Sequence, residues 1–281
     1  MYKLRNYNNI ISKHYLNPGK NLSDLELIKL YNSMIQVNTT KNQNVDNLYL
    51  KKGHSLSELR VIYNNCIITL LSDQESPFGF LVSPILKTQN GHLLHAGLII
   101  FSRNPGGDFL QLVTLENFTM AYRSYGKILV TNITSTPSII EVFSNTVNRA
   151  WPSPKMNTKI CPKEYRNAIV NLKEQYMDRY FPEDSKVEIN SKRFTMTSNS
   201  NDMGFSTNYY ELSRATKYIY QSFCKTWINY DKSEDVIQVG EINLFTYINQ
   251  ILKLIFLKIK IKKIIKKDNN QAVENTSKQA A

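Results

Sequence analysis

From Leu25 to Ile35 apolar residues fall at helical spacing (Leu25, Leu27, Ile28, Leu30, Tyr31, Ile35), directly after Ser23 and with Glu26 three residues on. That pairing is a capping box: serine and glutamate satisfy N–H groups that a helix start leaves without partners. Ser55 and Glu58 repeat it ahead of Leu56, Leu59, Val61, Ile62 and Tyr63, predicting a second, shorter helix. Residues 1–22 read as loop with one short strand near Tyr2–Tyr7, and 38–47 as a polar loop.

The period then changes. Cys66–Leu71 is a continuous apolar run, Phe78–Leu86 a second and Leu93–Phe101 a third. Polar turns separate them, one carrying the Asn90-Gly91 pair that hairpins favour, so the three predict an antiparallel meander. Phe109–Tyr122 returns to helical spacing and stops at Gly126. Lys127–Ile133 is a strand of the buried type, and Ser138–Ala150 a helix with Pro137 at its first turn. Pro162–Tyr180 reads as a helix, Lys186–Thr197 as a strand, Tyr209–Trp227 as a helix and Asp235–Leu244 as a strand.

These elements predict an α/β (α+β) protein with a mixed, mostly antiparallel central sheet flanked by helices. No flexible linker divides it, so residues 1–244 read as one domain with a core at 55–154 and a helical insertion at about 155–185. Residues 245–267 then form a basic amphipathic helix and 268–281 a disordered tail.

Charge and cysteine usage narrow the setting. The net charge of +12 is concentrated: seven lysines and no acid lie in Lys253–Lys267. Three readings of that stretch stand open: a helix docked on its own core, an interfacial helix on an anionic membrane surface, or a contact with nucleic acid or an acidic partner. Without interleaved aromatics a base-stacking nucleic-acid site has little support. Three cysteines far apart, Cys66, Cys161 and Cys224, argue against a disulfide framework and a cysteine-held metal. With no signal peptide visible and no run of ~18 apolar residues, the expected location is cytoplasmic, peripheral to a membrane if the tail is interfacial.

Between the third strand and the following helix stands Arg103-Asn104-Pro105-Gly106-Gly107-Asp108. A helix start offers unpaired N–H groups and a favourable dipole to an anion, and glycine lets a phosphate approach the backbone. Such a turn also occurs as a plain loop. Here the order of parts, and Arg103-x-x-Gly106-x-Asp108, resembles the GNAT superfamily of acyl-CoA-dependent N-acetyltransferases, whose motif is Arg/Gln-x-x-Gly-x-Gly/Ala. Asp108 departs from that motif and suits a helix cap. The resemblance implies acetyl-CoA or another acyl-CoA as donor and an amine as acceptor. It further implies cofactor contacts from Arg103, Gly106, Gly107 and Asp108, and backbone N–H groups at Leu98, Ile99 and Ile100 for the thioester carbonyl. The family's proton-donating tyrosine falls at Phe143, so Tyr122 is the substitute candidate and His95 the candidate base. A relative that binds CoA or a protein without turnover is the alternative.

His92 and His95 stand three apart on a strand and so point to opposite faces, against a shared metal; either also fits a hydrogen-bonded strand position. Glu116, amid apolar helix positions, reads as lying on a solvated face or pairing with a base, and otherwise as a buried functional carboxylate. Tyr209, Tyr210, Tyr218, Tyr220, Phe223, Trp227 and Tyr230 read as a packed aromatic cluster.

Overall fold

Continuous apolar runs become central strands because both faces of the sheet are covered. The computed structural model describes residues 2–7, 10–40, 48–73, 76–103, 107–155, 160–180, 187–197 and 212–260. Gly106, Tyr209, Tyr210, residues 261–267 of the basic stretch and the tail 268–281 lie outside the described residues. The chain opens with β1 (Tyr2–Tyr7), β2 (Ile10–Leu16), a four-residue α1 (Pro18–Asn21), α2 (Asp24–Thr40) and α3 (Leu56–Ile62). The core follows as β3 (Cys66–Asp73), β4 (Ser76–Thr88), β5 (Gly91–Ala96), β6 (Ile99–Phe101), α4 (Gly107–Tyr125), β7 (Ile128–Thr134) and α5 (Pro137–Thr146). Then come β8 (Asn148–Trp151), α6 (Lys163–Leu172), a π-helical stretch (Lys173–Met177), α7 (Asp178–Tyr180), β9 (Ile189–Asn190), β10 (Thr195–Thr197), α8 (Tyr218–Trp227) and β11 (Glu234–Ile242). A last helix, α9, covers 244–260.

The strands form one sheet in the order β1-β2-β3-β4-β5-β7-β11-β10-β9, with β6 added to β4 and β8 to β11. Every pairing is antiparallel except β5 with β7. This is the mixed α/β architecture that the periodicity predicts. One face packs on α2, α3 and α6 through Leu27, Met34, Leu59, Tyr165 and Ile169. The other packs on α4, α5 and α9 through Leu112, Phe118, Phe143 and Leu254. Both capping boxes form: the Ser23 N–H donates to Glu26 at 2.9 Å, and Ser55 exchanges bonds with Glu58.

Four segments differ from the sequence reading. Residues 10–16, read as loop, are β2; its buried positions are Ser12 and His14, so the strand shows no apolar alternation. Lys186–Thr197, read as one strand, holds a small hairpin, β9–β10, from Ile189 to Thr197 among the described residues. The helix expected to begin at Tyr209 starts at Tyr218 among the described residues. The helix expected through Ala150 ends at Thr146, and Asn148–Trp151 instead pairs with β11.

The third meander strand is also broken, and this break positions the site. β5 pairs with the end of β4 (Ile85–Thr88), while β6 pairs with its middle (Gly79–Leu81). Gly97 lies at the join, where a Cβ would stand 2.7 Å from the Val82 carbonyl oxygen and 3.1 Å from Pro84. A Gly97→Ala substitution is therefore expected to lower stability by about 1–3 kcal/mol through overpacking. Urea denaturation checks this, and an unchanged midpoint would show that the join has room.

Candidate functional site

Two parallel strands part company at Gly97. β5 lies beside β7 over Leu93–Ala96 against Leu129–Asn132. β6 then follows β4, whereas Ile133 and Thr134 continue along β11 alone. Past Ala96 and Asn132 the sheet has a gap with no strand pairing across it among the described residues.

Alternation along an antiparallel ladder decides which β6 amides face that gap. The Val82 N–H donates to the Leu98 carbonyl and the Ser102 N–H to the Phe78 carbonyl, so Leu98, Ile100 and Ser102 turn their backbone toward β4. Ile99 and Phe101 turn theirs the other way. Of the three amide positions expected from the sequence, Ile99 turns its backbone toward the gap, whereas Leu98 and Ile100 turn theirs toward β4.

Asn132, on the opposite lip, was not singled out from the sequence. Its side chain alternates with Ile128 and Val130 toward the α4–α5 layer and is 5 % exposed. The Asn132 Nδ2 has no partner among the described residues, and neither has the Oε1 of Gln238, its neighbour across β11. A buried amide donor left without an acceptor is unusual. An asparagine between the threonines of β7 gave only a weak hint of it.

The expected phosphate turn is described at its two ends. Arg103 pairs with Asp73 at 2.9 Å and lies 4.2 Å over the Phe78 ring, which holds its half-exposed guanidinium at the end of β6. α4 begins at Gly107, so its first N–H groups follow directly; the Asp108 side chain lies outside the described residues. A helix of this length carries a full dipole at that end.

The catalytic candidates are not brought together. His95 is 3 % exposed, with Nδ1 3.0 Å from Thr131 Oγ1 and its ring against Tyr176 of the π-helical stretch. Burial pushes its pKa down to about 3, despite an opposing hydrogen bond at Thr131, so it does not hold a proton near neutral pH. So low a proton affinity makes His95 a weak general base, which counts against the role expected from the sequence. Tyr122 stacks on Tyr247 of α9 at 4.5 Å, near the end of α4 opposite Gly107. Fifteen residues of helix separate the two positions by roughly 22 Å. Phe143 is buried in the core under α5. His92 does point to the opposite face from His95, against Tyr125 at 4.4 Å. It also lines a polar hollow of about 410 Å³, with Lys127, Glu164 and Glu174, at the start of β5.

A second polar constellation escaped the sequence reading. Beneath α4, His14 Nε2 lies 2.6 Å from Ser12 Oγ and 2.9 Å from Glu116 Oε2. Its Nδ1 lies 3.0 Å from Asn117 Oδ1 and 2.9 Å from Thr69 Oγ1, and Thr69 donates to Asn117. Lys258 of α9 closes the group with an ion pair to Glu116 Oε1 at 3.1 Å. Glu116 is thus buried and paired with two bases rather than solvated. Burial alone would raise its pKa, but the His14 hydrogen bond and charge, then Lys258, outweigh it and hold the carboxyl at about 2. Ser, His and Glu here resemble a nucleophilic set in type only. His14 is wholly buried, so the group binds β2, β3, α4 and α9 together and meets no substrate.

Comparison with protein-family models and with curated proteins finds no match for this chain.

The chemistry available at the gap is therefore that of hydrogen-bond donors. Ile99 and Phe101 turn their backbone N–H groups to the gap from one lip, the unpartnered Asn132 amide lies buried beside the other under the α4–α5 layer, and α4 presents its amino-terminal N–H groups beyond Arg103. Together they suit a long ligand with carbonyl oxygens along its stem and an anion at its end. Among the described residues no group of three or more His, Cys, Asp or Glu stands together to hold a metal ion.

Proposed function

We propose that the chain has a GNAT-like arrangement, binds acyl-coenzyme A in the gap between β6 and β7, and supports acyl transfer to an amine. One observation carries the reading: the only parallel strand pair among the described residues separates at Gly97, leaving backbone donors on one lip, the unpartnered Asn132 amide beside the other and a helix start after β6. Acyl-CoA supplies an activated thioester carbonyl, from which an amine takes the acyl group as the thiol departs.

The protein's part follows from the groups it presents. Ile99 and Asn132 hold carbonyl oxygens of the stem or the thioester, and N–H groups used there gain strength where water is excluded. The α4 amino terminus, with Arg103, receives the pyrophosphate. Arg103 then shares its charge between Asp73 and the ligand. No buried base is required if the acceptor amine gives its proton to solvent.

The pKa of His95 and the hydrocarbon ring of Phe143 favour a second reading, in which the gap binds CoA without turnover. Calorimetry with CoA and acetyl-CoA, followed by thiol release across a panel of amines, separates the two. Micromolar binding with thiol release is the expected result. Binding without release leaves the second reading, and absence of heat with either ligand overturns both.

A further inference from the structure

Seven of the sixteen large hydrophobic side chains that are exposed among the described residues belong to one helix, α9. Leu244 stands at its start. The other six, Phe245, Ile248, Leu252, Ile255, Phe256 and Ile259, recur at three- and four-residue spacing and so share one face, each 47–74 % exposed. The opposite face is fixed to the protein. Leu254 is buried against α4, Tyr247 stacks on Tyr122, Gln250 donates to the Thr146 carbonyl, and Lys258 reaches Glu116. The outward stripe is therefore not the helix's core-facing side. It is a second apolar face on a helix whose first is already satisfied.

The charge of this segment suggests what the stripe meets. Lys253 and Lys260 lie along one flank of the stripe and Lys258 along the other, by their positions on a helix of 3.6 residues per turn, with Lys253 donating to the Asn145 carbonyl and Lys258 paired with Glu116. The sequence continues with Lys262, Lys263, Lys266 and Lys267, interrupted only by isoleucines, and no acid occurs from Lys253 to Lys267. Apolar side chains in a stripe with lysines at its margins match the boundary of an anionic bilayer, apolar acyl chains below and phosphate above. No helix among the described residues is long and apolar enough to cross a membrane. A helix of ~25 Å with this pattern lies along the surface instead.

We propose that α9 is a membrane-docking helix that seats its outward stripe in the interface of an anionic lipid bilayer while its inward face stays on the protein. The network at Glu116 then has a mechanical role: it ties the membrane-facing helix to the sheet, so that docking fixes the orientation of the whole protein. This holds whether or not the gap at Gly97 binds CoA.

Flotation of the full chain with phosphatidylcholine vesicles, with and without roughly 30 % phosphatidylserine, tests it. The expected result is co-flotation with the anionic vesicles, reduced at least tenfold on neutral ones and again at ~0.5 M salt, where charges are screened. The double change Leu252→Asp and Phe256→Asp should abolish flotation while leaving the melting temperature unchanged, because both side chains are exposed. Glutamine at Lys260, Lys262, Lys263, Lys266 and Lys267 should weaken flotation at least tenfold. Equal flotation with neutral and anionic vesicles, or none with either, overturns the proposal. So does flotation that survives the Leu252 and Phe256 changes. A wild-type dimer that those same changes dissociate, with no flotation, would make a second copy of the chain the occupant.

Discussion

Replacing Glu116 by alanine is expected to lower the stability of the folded chain by about 3 kcal/mol, the cost of leaving a buried charge partner without its counter-charge. In a chain of 281 residues that corresponds to a fall in melting temperature of roughly 6–12 °C. The loss has two parts. His14 keeps a buried ring whose Nε2 retains only Ser12, and Lys258, partly exposed, swings toward water and loosens the end of α9. Glu116→Gln keeps the shape and removes the charge, and so isolates the electrostatic part. The pH dependence carries the same signature. The folded-state pKa of about 2 lies below the ordinary carboxylate range, so this stabilisation is complete above about pH 4.5 and is lost as pH falls through 2. In Glu116→Gln the acid limb of the stability profile should flatten over that window. A melting temperature within 2 °C of wild type for Glu116→Ala, by the scale above, would mean the network contributes nothing to the fold.

Gly106→Asp is the substitution expected to have the largest effect on ligand binding. If the segment after Arg103 cradles a pyrophosphate, a carboxylate at Gly106 brings both a like charge and a side chain where the ligand's backbone contact should be. Affinity for CoA should fall at least a hundredfold, equivalent to about 2.7 kcal/mol, with no change in melting temperature. Calorimetry on wild type and variant measures this directly. Unchanged affinity would remove the turn from the site, and with it the support for a nucleotide-bearing ligand. Loss of thermal stability alongside affinity would point to misfolding, and Gly106→Ala, which adds bulk without charge, then serves as the control.

The sheet's centre was legible because its signals are local. Apolar runs at Cys66–Leu71, Phe78–Leu86 and Lys127–Ile133, the Asn90-Gly91 turn and both capping boxes each act within a few residues, and each forms. The gap at Gly97 was half legible. Leu93–Phe101 reads as one continuous strand, and no property of those nine residues tells that both halves pair with β4 while only the first also pairs with β7. That division follows from the Cβ-free approach of Gly97 to Val82, a contact between strands.

His14 and Glu116 illustrate the other limit. They stand over a hundred residues apart, and β2 carries its polar residues on the buried side, reversing the pattern by which strands are found. His95 illustrates it again: its residue type suggests a base, whereas its depth in the sheet sets its proton affinity.

The sequence by itself determined the central strands, the capped helices, the sheet's mixed class and the basic, apolar character of 245–267, because period, caps and composition act along the chain. Only the tertiary structure decided which strands are neighbours, where two of them separate, which amides are left free, and which face of α9 remains uncovered. Those are properties of packing, and packing brings together residues that the sequence keeps far apart.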